Sequence, residues 1–368
     1  MTTAHQVVFV APGRMEVQEH PVPSIGPDDL TMRVRRVGIC ATDVHLLDGH
    51  LGDPFPVVPG HEFVGEVDRI GADAALARGL RPGDRIAVEM LVPCGRCDRC
   101  RQGRYNVCED DDRAAGGRGR QYGVNMGGDR APGFWGGYAE TLFVPGEAIV
   151  HRIPSHVDWD AAALVEPLAV ASRCVRRGRV GPGDRVAIIG PGPIGLLAAA
   201  AARAAGADEV VLLGTRASRL ELGLSFGADD TIDTSAETDV VAALRSTLGG
   251  RTADVVIETA GSAEAQVQAV RLTRRGGRTV LAGALGSGRP VTFRQDEDIL
   301  VREVEIVASF LSAGGYEPAL ALLARGDFPF ARLVSHRFPL ERAAEALELV
   351  RHKRDGVIKA LLVPQRAG

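Results

Sequence analysis

Two patterns of hydrophobic and polar residues divide the chain. Up to about residue 150, short apolar runs such as 30–37, 63–69 and 85–88 are separated by turns rich in Gly and Pro. Runs of this length between turn residues are typical of β-strands. This part of the chain is therefore predicted to form a mainly β domain.

In the middle of the chain, runs of Val, Ile and Leu alternate with Ala-rich stretches long enough for helices. The pattern predicts a helix at 194–205 and strands at 186–189, 210–213, 255–258 and 279–282. Strands that alternate with helices are typical of βαβ units around a parallel sheet. The central segment is therefore predicted to be an α/β domain.

Short runs return near residue 306, and a surface helix is predicted at 342–351. The chain has 368 residues, and single hydrophobic cores usually stop growing near ~250–300 residues. We therefore predict an interrupted arrangement, in which residues 1–160 and 306–368 form one domain and residues 161–305 form the other.

The composition is that of a globular protein, with 45% hydrophobic and 24% charged residues. The formal net charge of −4 argues against a nucleic-acid partner held by bulk positive charge. Lys353 and Lys359 are the two lysines among 43 basic residues. Arginine is therefore so common here that any single Arg carries little information.

No signal peptide or membrane span is predicted. The N-terminus lacks a basic segment followed by a long apolar core, and the most apolar stretch, 186–202, is interrupted by Gly and Pro. Clustered cysteines in an intracellular chain of this size are first interpreted as metal ligands or catalysts. We therefore expect a cytoplasmic protein without a membrane partner.

Four cysteines, Cys94, Cys97, Cys100 and Cys108, lie close together in the first domain. Their spacing favours a structural zinc ion, because four thiolates at tetrahedral corners leave no position for a substrate. The alternatives are reduced surface thiols, a redox pair, or an iron–sulfur cluster, in which Cys-x2-Cys-x2-Cys also occurs. A structural zinc ion would stabilise a lobe of this domain.

A second set of candidate ligands and polar groups lies outside that cluster. Its members are Cys40, Thr42, His45, His61, Glu62 and Glu166. Taken singly each signal is weak, since a lone Cys is usually a buried small hydrophobe. A stronger signal is the strand at 186–189, which runs into Gly190-Pro-Gly192-Pro193-Ile194-Gly195 and then a helix. That context is typical of a dinucleotide site, with the pyrophosphate at the helix N-terminus.

The segment Cys40-x-Thr-Asp-x-x-His, the Gly-His-Glu-x2-Gly signature at 60–65, the cysteine lobe and the dinucleotide turn occur in one order. Together they resemble the zinc-dependent medium-chain dehydrogenase/reductase (alcohol dehydrogenase) family over essentially the whole chain. Glu166 stands where the alcohol-dehydrogenase branch has Cys, so the chain resembles the polyol (sorbitol-type) branch. The resemblance implies a GroES-like β-rich catalytic domain and a Rossmann doubly wound parallel-sheet cofactor domain.

The resemblance also implies a catalytic zinc ion, in addition to the structural one, bound by Cys40, His61, Glu166 and, as a further candidate, Glu62. A zinc ion with an open position lowers the pKa of a substrate hydroxyl, so that an alkoxide can release hydride to the nicotinamide. By resemblance, Thr42 and then His45 pass the released proton towards water, because a hydroxyl both donates and accepts and an imidazole titrates near neutral pH.

The end of the second central strand predicts which nicotinamide cofactor is used. Gly214 stands where NAD-dependent relatives carry Asp, and Thr215, Arg216 and Arg219 follow. Without that carboxylate, a 2′-phosphate meets no repulsion and finds cationic partners. We therefore expect NADP in preference to NAD. By resemblance, Ala260, Gly283 and Ser309 line the rest of the cofactor site.

The predicted reaction interconverts a secondary alcohol or polyol with a ketone. By resemblance, substrate-pocket residues lie at 46–51, at Phe134 and Trp135, and at Phe310, with Arg302 near a polyol. The alternatives are a reductase of an activated carbonyl or iminium, a non-redox biosynthetic member of the fold, and a non-catalytic NADPH-binding protein. The family also implies a homo-oligomer, a tetramer or a dimer, joined near 301–307.

Overall fold

The computed structural model describes residues 2–127, 130–286 and 288–364. The chain divides into two compact units, Met1–Glu166 with Phe330–Gly368, and Pro167–Pro329. The first unit is thus built from both ends of the chain, and both boundaries differ from those predicted at 160 and 306. No helix of the described part is long and apolar enough to cross a membrane.

The first unit is rich in strands. Its strands are β1 (Thr3–Ala11), β2 (Arg14–Pro21), β3 (Leu30–Gly38), β4 (Glu62–Ile70), β5 (Arg85–Val88), β6 (Thr141–Val144), β7 (Val150–Arg152), β14 (Val334–Pro339) and β15 (Lys359–Val363). Its helices are α1 (Ala41–Leu47), α2 (Ala72–Arg78), α3 (Asp98–Arg101), α4 (Trp159–Ala162) and α11 (Ala343–His352).

In this unit β1 and β2 form a hairpin, and the other strands form a sheet in the order β14-β15-β3-β4-β5-β7, with β6 also on β3. The register of β3 and β4 pairs Gly38 with Glu62. The chain after β3, which leads to Cys40, and the chain before β4, which ends at His61, therefore leave the sheet next to each other. The long-range strand β15 then pairs Leu361 with Gly38.

The second unit is an α/β domain. Its helices are α5 (Val165–Arg177), α6 (Pro193–Ala204), α7 (Ala217–Leu224), α8 (Val240–Thr247), α9 (Ala263–Leu272) and α10 (Tyr316–Arg325), and α5 begins two residues before the boundary. Its strands are β8 (Arg185–Ile189), β9 (Glu209–Gly214), β10 (Asp230–Asp233), β11 (Ala253–Glu258), β12 (Thr273–Leu281) and β13 (Glu305–Ala308).

The strands of the second unit form a parallel sheet in the order β10-β9-β8-β11-β12-β13. The four predicted strands correspond to β8, β9, β11 and β12, and the predicted helix to α6. The strand β13 belongs to this sheet because Thr279 of β12 pairs with Ile306. The prediction that the first domain resumes at residue 306 is therefore wrong, and it resumes at Phe330.

Candidate metal and cofactor sites

Three candidate ligands converge where β3 ends and β4 begins. The ligand atoms of Cys40, His61 and Glu62 all lie within 4.8 Å of one another. Cys40 is the N-cap of α1, and His61 immediately precedes β4. His61 and Glu62 are buried and Cys40 is half-buried. The predicted cluster is thus formed by backbone register.

Asp43 connects the two segments that carry Cys40 and His61. Its carboxylate accepts a hydrogen bond from the backbone N–H of Cys40 (2.8 Å), from the Tyr138 hydroxyl (3.1 Å) and from the backbone N–H of Gly60 (3.3 Å). It also lies 3.5 Å from His61 Nδ1. A carboxylate behind a histidine ligand fixes the orientation of the ring. Asp43 was not among the candidate residues in the sequence, although an acid three residues after an N-cap is a recognisable signal.

Glu62 is held by Lys359, which was not among the candidate site residues in the sequence. Lys359 Nζ donates to both Glu62 oxygens, over 2.8 and 2.7 Å, and lies 3.3 Å from the Ile39 carbonyl oxygen. The two side chains are 4% and 2% exposed. The sequence offered one indication of this role. Lys359 is one of two lysines in an arginine-rich chain, and it stands at the start of an apolar run.

The charge of Lys359 offsets an anionic site. Burial lowers the pKa of its ammonium group, but the charges of Glu62 and Cys40 raise it by more, so the net shift is upward. Glu166 contributes in the same direction. Glu166 is buried in the first turn of α5, and it is not one of the three residues that cluster within 4.8 Å. Its role as a metal ligand therefore stays a prediction.

The residues of the predicted proton relay lie on α1. Thr42 Oγ1 is 3.6 Å from Cys40 Sγ. His45 follows one turn later and is exposed, with its ring centroid 5.9 Å from that of His50. One helix thus carries a hydroxyl beside the candidate ligand and an imidazole that reaches solvent.

These residues fit a zinc ion. Thiolate, imidazole and carboxylate are the donors that zinc prefers, and a catalytic site uses three protein ligands and one open position. Cys40 and His61 offer the soft and borderline donors, while Glu62 offers a carboxylate already paired with Lys359. A bound zinc ion would supply Lewis acidity at this point.

The four cysteines of the predicted lobe also converge. The sulfurs of Cys94, Cys97, Cys100 and Cys108 lie within 4.8 Å of one another. Backbone N–H groups donate to two of them, Cys97 N–H to Cys94 Sγ and Cys100 N–H to Cys97 Sγ, each over 3.4 Å. These contacts stabilise thiolates, which are the form that binds zinc.

The thiols of this lobe differ in acidity. Hydrogen bonds from the backbone N–H groups of Glu109 and Cys100 lower the pKa of Cys97 to about 6. Burial raises the pKa of Cys100 to about 12. Four thiolates this close repel one another unless a cation lies between them, so the donor set fits one structural ion.

The dinucleotide turn follows β8 as the sequence predicted. Gly190 has a φ of +104°, and a Cβ on Gly195 would lie 1.9 Å from the Gly190 carbonyl oxygen. Gly192 is the N-cap of α6 and Pro193 is its first residue. Apart from its own neighbours along the chain, no described atom lies within 4 Å of a Cβ on Gly192. Gly190 and Gly195 therefore need glycine for the protein's own conformation and packing, whereas Gly192 leaves space at the helix N-terminus for a ligand.

Gly214 ends β9 directly beside this turn. A Cβ there would lie 2.2 Å from Pro191 Cδ. An aspartate at this position would therefore require the turn to move. Arg216 caps α7, and burial together with the charge of Arg216 lowers the pKa of Arg219. The two guanidinium groups thus form a positive region next to Gly214.

Other predicted cofactor residues lie at the carboxyl ends of β11, β12 and β13. Glu258 Oε1 accepts hydrogen bonds from the N–H groups of Ala260 and Gly261, each over 2.7 Å. A Cβ on Gly283 would lie 2.3 Å from the Gly261 nitrogen. The Ser309 N–H donates to the Leu281 carbonyl oxygen. The Glu258 carboxylate thus fixes the turn that contains Ala260.

Two predicted substrate contacts have different surroundings. The Arg302 guanidinium donates to the backbone carbonyl oxygens of Val270 and Arg271, each over 3.1 Å, and of Thr273. It therefore caps the end of α9, and the expectation that it faces a polyol is not supported by these contacts. Phe310 is half exposed. In the other unit, Phe134 and Trp135 are buried, with Phe134 at a φ of +62°.

Comparisons with known proteins cover nearly the whole chain. Residues 26–155 match the family described as the alcohol dehydrogenase GroES-like domain, and residues 193–325 match the family described as zinc-binding dehydrogenase. A Mycobacterium tuberculosis protein assigned as an alcohol dehydrogenase is 39% identical over 366 residues, which cover 97% of this chain and 98% of the relative. Sorbitol dehydrogenase from Bombyx mori is 32% identical, over 95% of this chain and 96% of the relative.

The comparison of structures agrees. A crystal structure of a zinc-binding dehydrogenase from Sinorhizobium meliloti bound to NADP superposes with a TM-score of 0.87 at 34% identity, over 99% of this chain and all of the other. The predicted GroES-like and Rossmann domains are confirmed. The chain therefore belongs to the zinc-binding alcohol dehydrogenase family, as an enzyme that transfers hydride between an alcohol or polyol and a nicotinamide cofactor.

Proposed function

We propose that the enzyme oxidises a secondary alcohol or polyol to a ketone with NADP as hydride acceptor, and catalyses the reverse reduction. The convergence of Cys40, His61 and Glu62 within 4.8 Å is the observation that carries this proposal. A zinc ion held by these residues would supply Lewis acidity towards the substrate hydroxyl, and a bound nicotinamide would supply the hydride acceptor.

The chain's own residues hold and orient the ligands. We propose Cys40, His61 and Glu166 as the permanent zinc ligands. Asp43 orients His61 from 3.5 Å and Cys40 through the backbone. Because Lys359 binds both oxygens of Glu62, this carboxylate is a reserve ligand that is drawn away from the metal.

We propose that the proton released by the alcohol passes to Thr42 and then leaves through His45. The supporting observations are the 3.6 Å separation between Thr42 Oγ1 and Cys40 Sγ, and the exposure of His45 on the same helix. A Thr42→Val variant keeps the shape of the side chain and removes the hydroxyl. It should lower kcat by at least about 100-fold while leaving the bound zinc content unchanged.

The preference for NADP rests on the end of β9. Gly214 offers no carboxylate, and the nearby Asp233, whose Cα pairs with that of Gly214, has its carboxylate bonded to the N–H and hydroxyl of Ser235. Arg216 and Arg219 offer two cations to a 2′-phosphate.

The other unit contributes the structural zinc site at Cys94–Cys108, which we propose holds one further ion.

A panel of polyols, cyclic secondary alcohols and primary alcohols tests the proposal, with NADP and NAD supplied separately. We expect turnover of secondary alcohols with kcat/KM at least about tenfold higher for NADP. Arg216→Gln should raise the KM for NADP by about that factor with little change for NAD, whereas Arg245→Gln, on exposed α8, should change neither. A tenfold preference for NAD would overturn the cofactor assignment.

We propose that the enzyme is a homo-oligomer, a tetramer or a dimer. The exposed edge strand β13 and the exposed apolar side chains of Leu300 and Val301 beside it support this proposal. Exposed strand edges readily pair with another chain. Light scattering tests it, since Val301→Lys should shift the mass towards a monomer.

We further propose that the enzyme acts in the cytoplasm. The six cysteines are free thiols, and four of them cluster as metal ligands would. Reduced, metal-binding cysteines are typical of a reducing compartment. Cell fractionation with an antibody against the native protein tests this location.

A further inference from the structure

A cavity of about 520 Å³ lies in the first unit, apart from the candidate metal ligands, none of which lines it. Its wall combines apolar rings with polar side chains. The residues that matter here are Gln6, Gln18, His20, Arg130, Phe134 and Trp135. An apolar cavity of this size with a few polar groups is the usual form of a small-molecule site.

Gln6 gives this cavity an unsatisfied polar group. The side chain, on β1, is 6% exposed, and its Oε1 receives no hydrogen bond from the residues that the structure describes. A buried amide oxygen without a donor costs about 1–3 kcal/mol. Such a group calls for a partner, and a ligand hydroxyl or amine in the cavity would supply the missing donor.

Arg130 gives the cavity a positive charge. Its NH1 donates to the Gly119 carbonyl oxygen, and its guanidinium carbon lies 5.0 Å from the centroid of the Trp135 ring. Among the described residues, no carboxylate forms a salt bridge with Arg130. Two of its three nitrogens thus remain for an anion, and a guanidinium binds a carboxylate through two parallel hydrogen bonds.

The remaining wall is apolar. Trp135 and Phe134 contribute rings, and the His20 ring stands edge-on to Phe134 at 6.4 Å. Gln18 Oε1 is occupied by His20 Nε2 over 3.0 Å, so these two side chains satisfy each other. The cavity therefore offers one free cation, one free amide oxygen and an apolar surface within the described part of the first unit.

We propose that this cavity binds a small hydroxy- or amino-carboxylate with an apolar body. The ligand's carboxylate binds Arg130, its hydroxyl or amine donates to Gln6, and its apolar part packs against Phe134 and Trp135. None of the candidate zinc ligands lines this cavity, so its ligand can be tested separately from the proposed reaction.

Three related probes test the proposal with the full-length, zinc-loaded protein in the absence of nicotinamide. They are 3-phenyllactate, 3-phenylpropionate, which lacks the hydroxyl, and 3-phenylpropane-1,2-diol, which lacks the carboxylate. The chain has two tryptophans, so a Trp159→Phe background makes Trp135 the reporter. Binding is measured as a change in Trp135 fluorescence and confirmed by calorimetry.

We expect phenyllactate to bind most tightly. Arg130→Gln should lower the affinity for both carboxylate probes by at least about tenfold and leave the affinity for the diol unchanged. Gln6→Leu should lower the affinity for phenyllactate by about fivefold and leave that for phenylpropionate unchanged. Only phenyllactate has a hydroxyl that can donate to the Gln6 amide oxygen. Arg325→Gln, in the alanine-lined cavity of the second unit, is the matched control and should change nothing.

Three results would overturn the proposal. One is the absence of binding by any probe up to roughly 10 mM. Another is binding that Arg130→Gln does not affect in correctly folded protein. The third is binding lost in Cys40→Ser but retained in Arg130→Gln, which would place the probe at the candidate zinc site. Retained binding in Cys40→Ser supports a separate site whether or not the enzyme oxidises alcohols.

Discussion

Lys359 and Glu62 form a buried ion pair in which both carboxylate oxygens accept from one ammonium group. Removing charges from water is costly, and their attraction repays that cost only when the pair is intact. The pair therefore matters less for net stability than for keeping Glu62 in one position beside Cys40 and His61. A single substitution would leave the remaining charge buried and uncompensated.

Lys359→Met is expected to destabilise the metal-stripped protein by about 3 kcal/mol. The double variant Lys359→Met/Glu62→Gln should recover most of that loss, because it removes the charge that the first substitution left unpaired. Urea unfolding of the two single variants and the double variant measures the coupling. Additive effects would show that the two side chains do not depend on each other.

At this scale the sequence indicated candidate ligands but not the residues that hold them. Cys40 and His61 stand in recognisable motifs, whereas Lys359 reaches Glu62 from a strand almost 300 positions later. Such a contact depends on the pairing of β15 with β3, which has no local signal. Asp43 was visible in the motif, but its four partners come from three separate segments.

Strands β8, β11 and β12 are joined at their amino ends by one carboxylate. Asp254 accepts from the Arg185 N–H over 2.9 Å, from Arg185 Nε over 2.7 Å and from Arg274 Nε over 2.5 Å. Burial alone would raise its pKa, but these arginine and N–H contacts lower it to about 2.

Asp254→Asn is expected to cost about 2 kcal/mol of unfolding free energy at pH 7. Because the folded pKa lies below the ordinary value of about 3.9, the contribution is complete above that value and declines as the pH falls towards 2. Urea unfolding between pH 7 and pH 3 measures the decline, with the exposed Asp296→Asn as control. A difference that grows on acidification would contradict this assignment.

The cysteine lobe has little regular structure of its own. Between Cys94 and Cys108 the structure has the four-residue helix α3 and a short helical turn, so the proposed zinc ion would supply most of the order. Cys97→Ser is expected to remove one of two zinc ions per chain and to speed tryptic cleavage at Arg99 and Arg101. Atomic emission spectroscopy measures the zinc content, and a time course of proteolysis measures the rate of tryptic cleavage.

The control for the lobe is Cys174→Ala, because Cys174 is buried in α5 of the other unit. This variant should keep both zinc ions and resist trypsin as the parent does. If Cys97→Ser also kept two ions and the parent's cleavage rate, the structural zinc site would be refuted.

Among the elements, apolar strands were predicted well and polar edge strands were not. The strands β8, β9 and β11 are buried and rich in Val, Ile and Leu, and β12 was predicted only at its carboxyl end, where Thr279 and Val280 are buried. The two edge strands were missed because β10 is Asp-Thr-Ile-Asp and β13 is four residues with exposed ends. Edge strands need fewer apolar residues, since only one neighbour and part of one face cover them.

On the scale of the whole molecule, the two units differ in how the chain builds them. The second unit is one continuous segment with its own sheet and hydrophobic core, whereas the first unit is closed by strands from both ends of the chain. The candidate cofactor residues, from Gly190 to Ser309, all lie in the continuous segment.

A fragment of residues 161–329 is therefore expected to fold alone and to bind NADPH within about tenfold of the full-length affinity. Circular dichroism and calorimetry measure both properties. The complementary discontinuous unit gives no comparable fragment, because β15 must return to pair with β3. A fragment that is unfolded, or folded without affinity for NADPH, would contradict the assignment of the cofactor site.

The sequence predicted the order of the two domains, since the pattern of apolar runs and turn residues changes where the chain passes from one domain to the other. The second domain boundary was misplaced at 306, because the short apolar runs there resemble those of the first domain. In the structure β13 pairs with β12 and so belongs to the second unit. Arg302 was also assigned to substrate, whereas its donors bind the end of α9. Both errors concern partners that are distant in sequence.

Alcohol oxidation that depends on a metal held by Cys40 and His61 is the central claim, and one comparison tests it directly. The parent and Cys40→Ser are brought to the same folded state, their zinc content is determined, and NADPH formation from the best secondary alcohol is followed at equal protein concentration. We expect Cys40→Ser to lose one zinc ion, keep NADPH binding and fall in kcat/KM by at least about 1,000-fold. Oxidation at the parent's rate by folded Cys40→Ser that lacks this zinc would contradict the account.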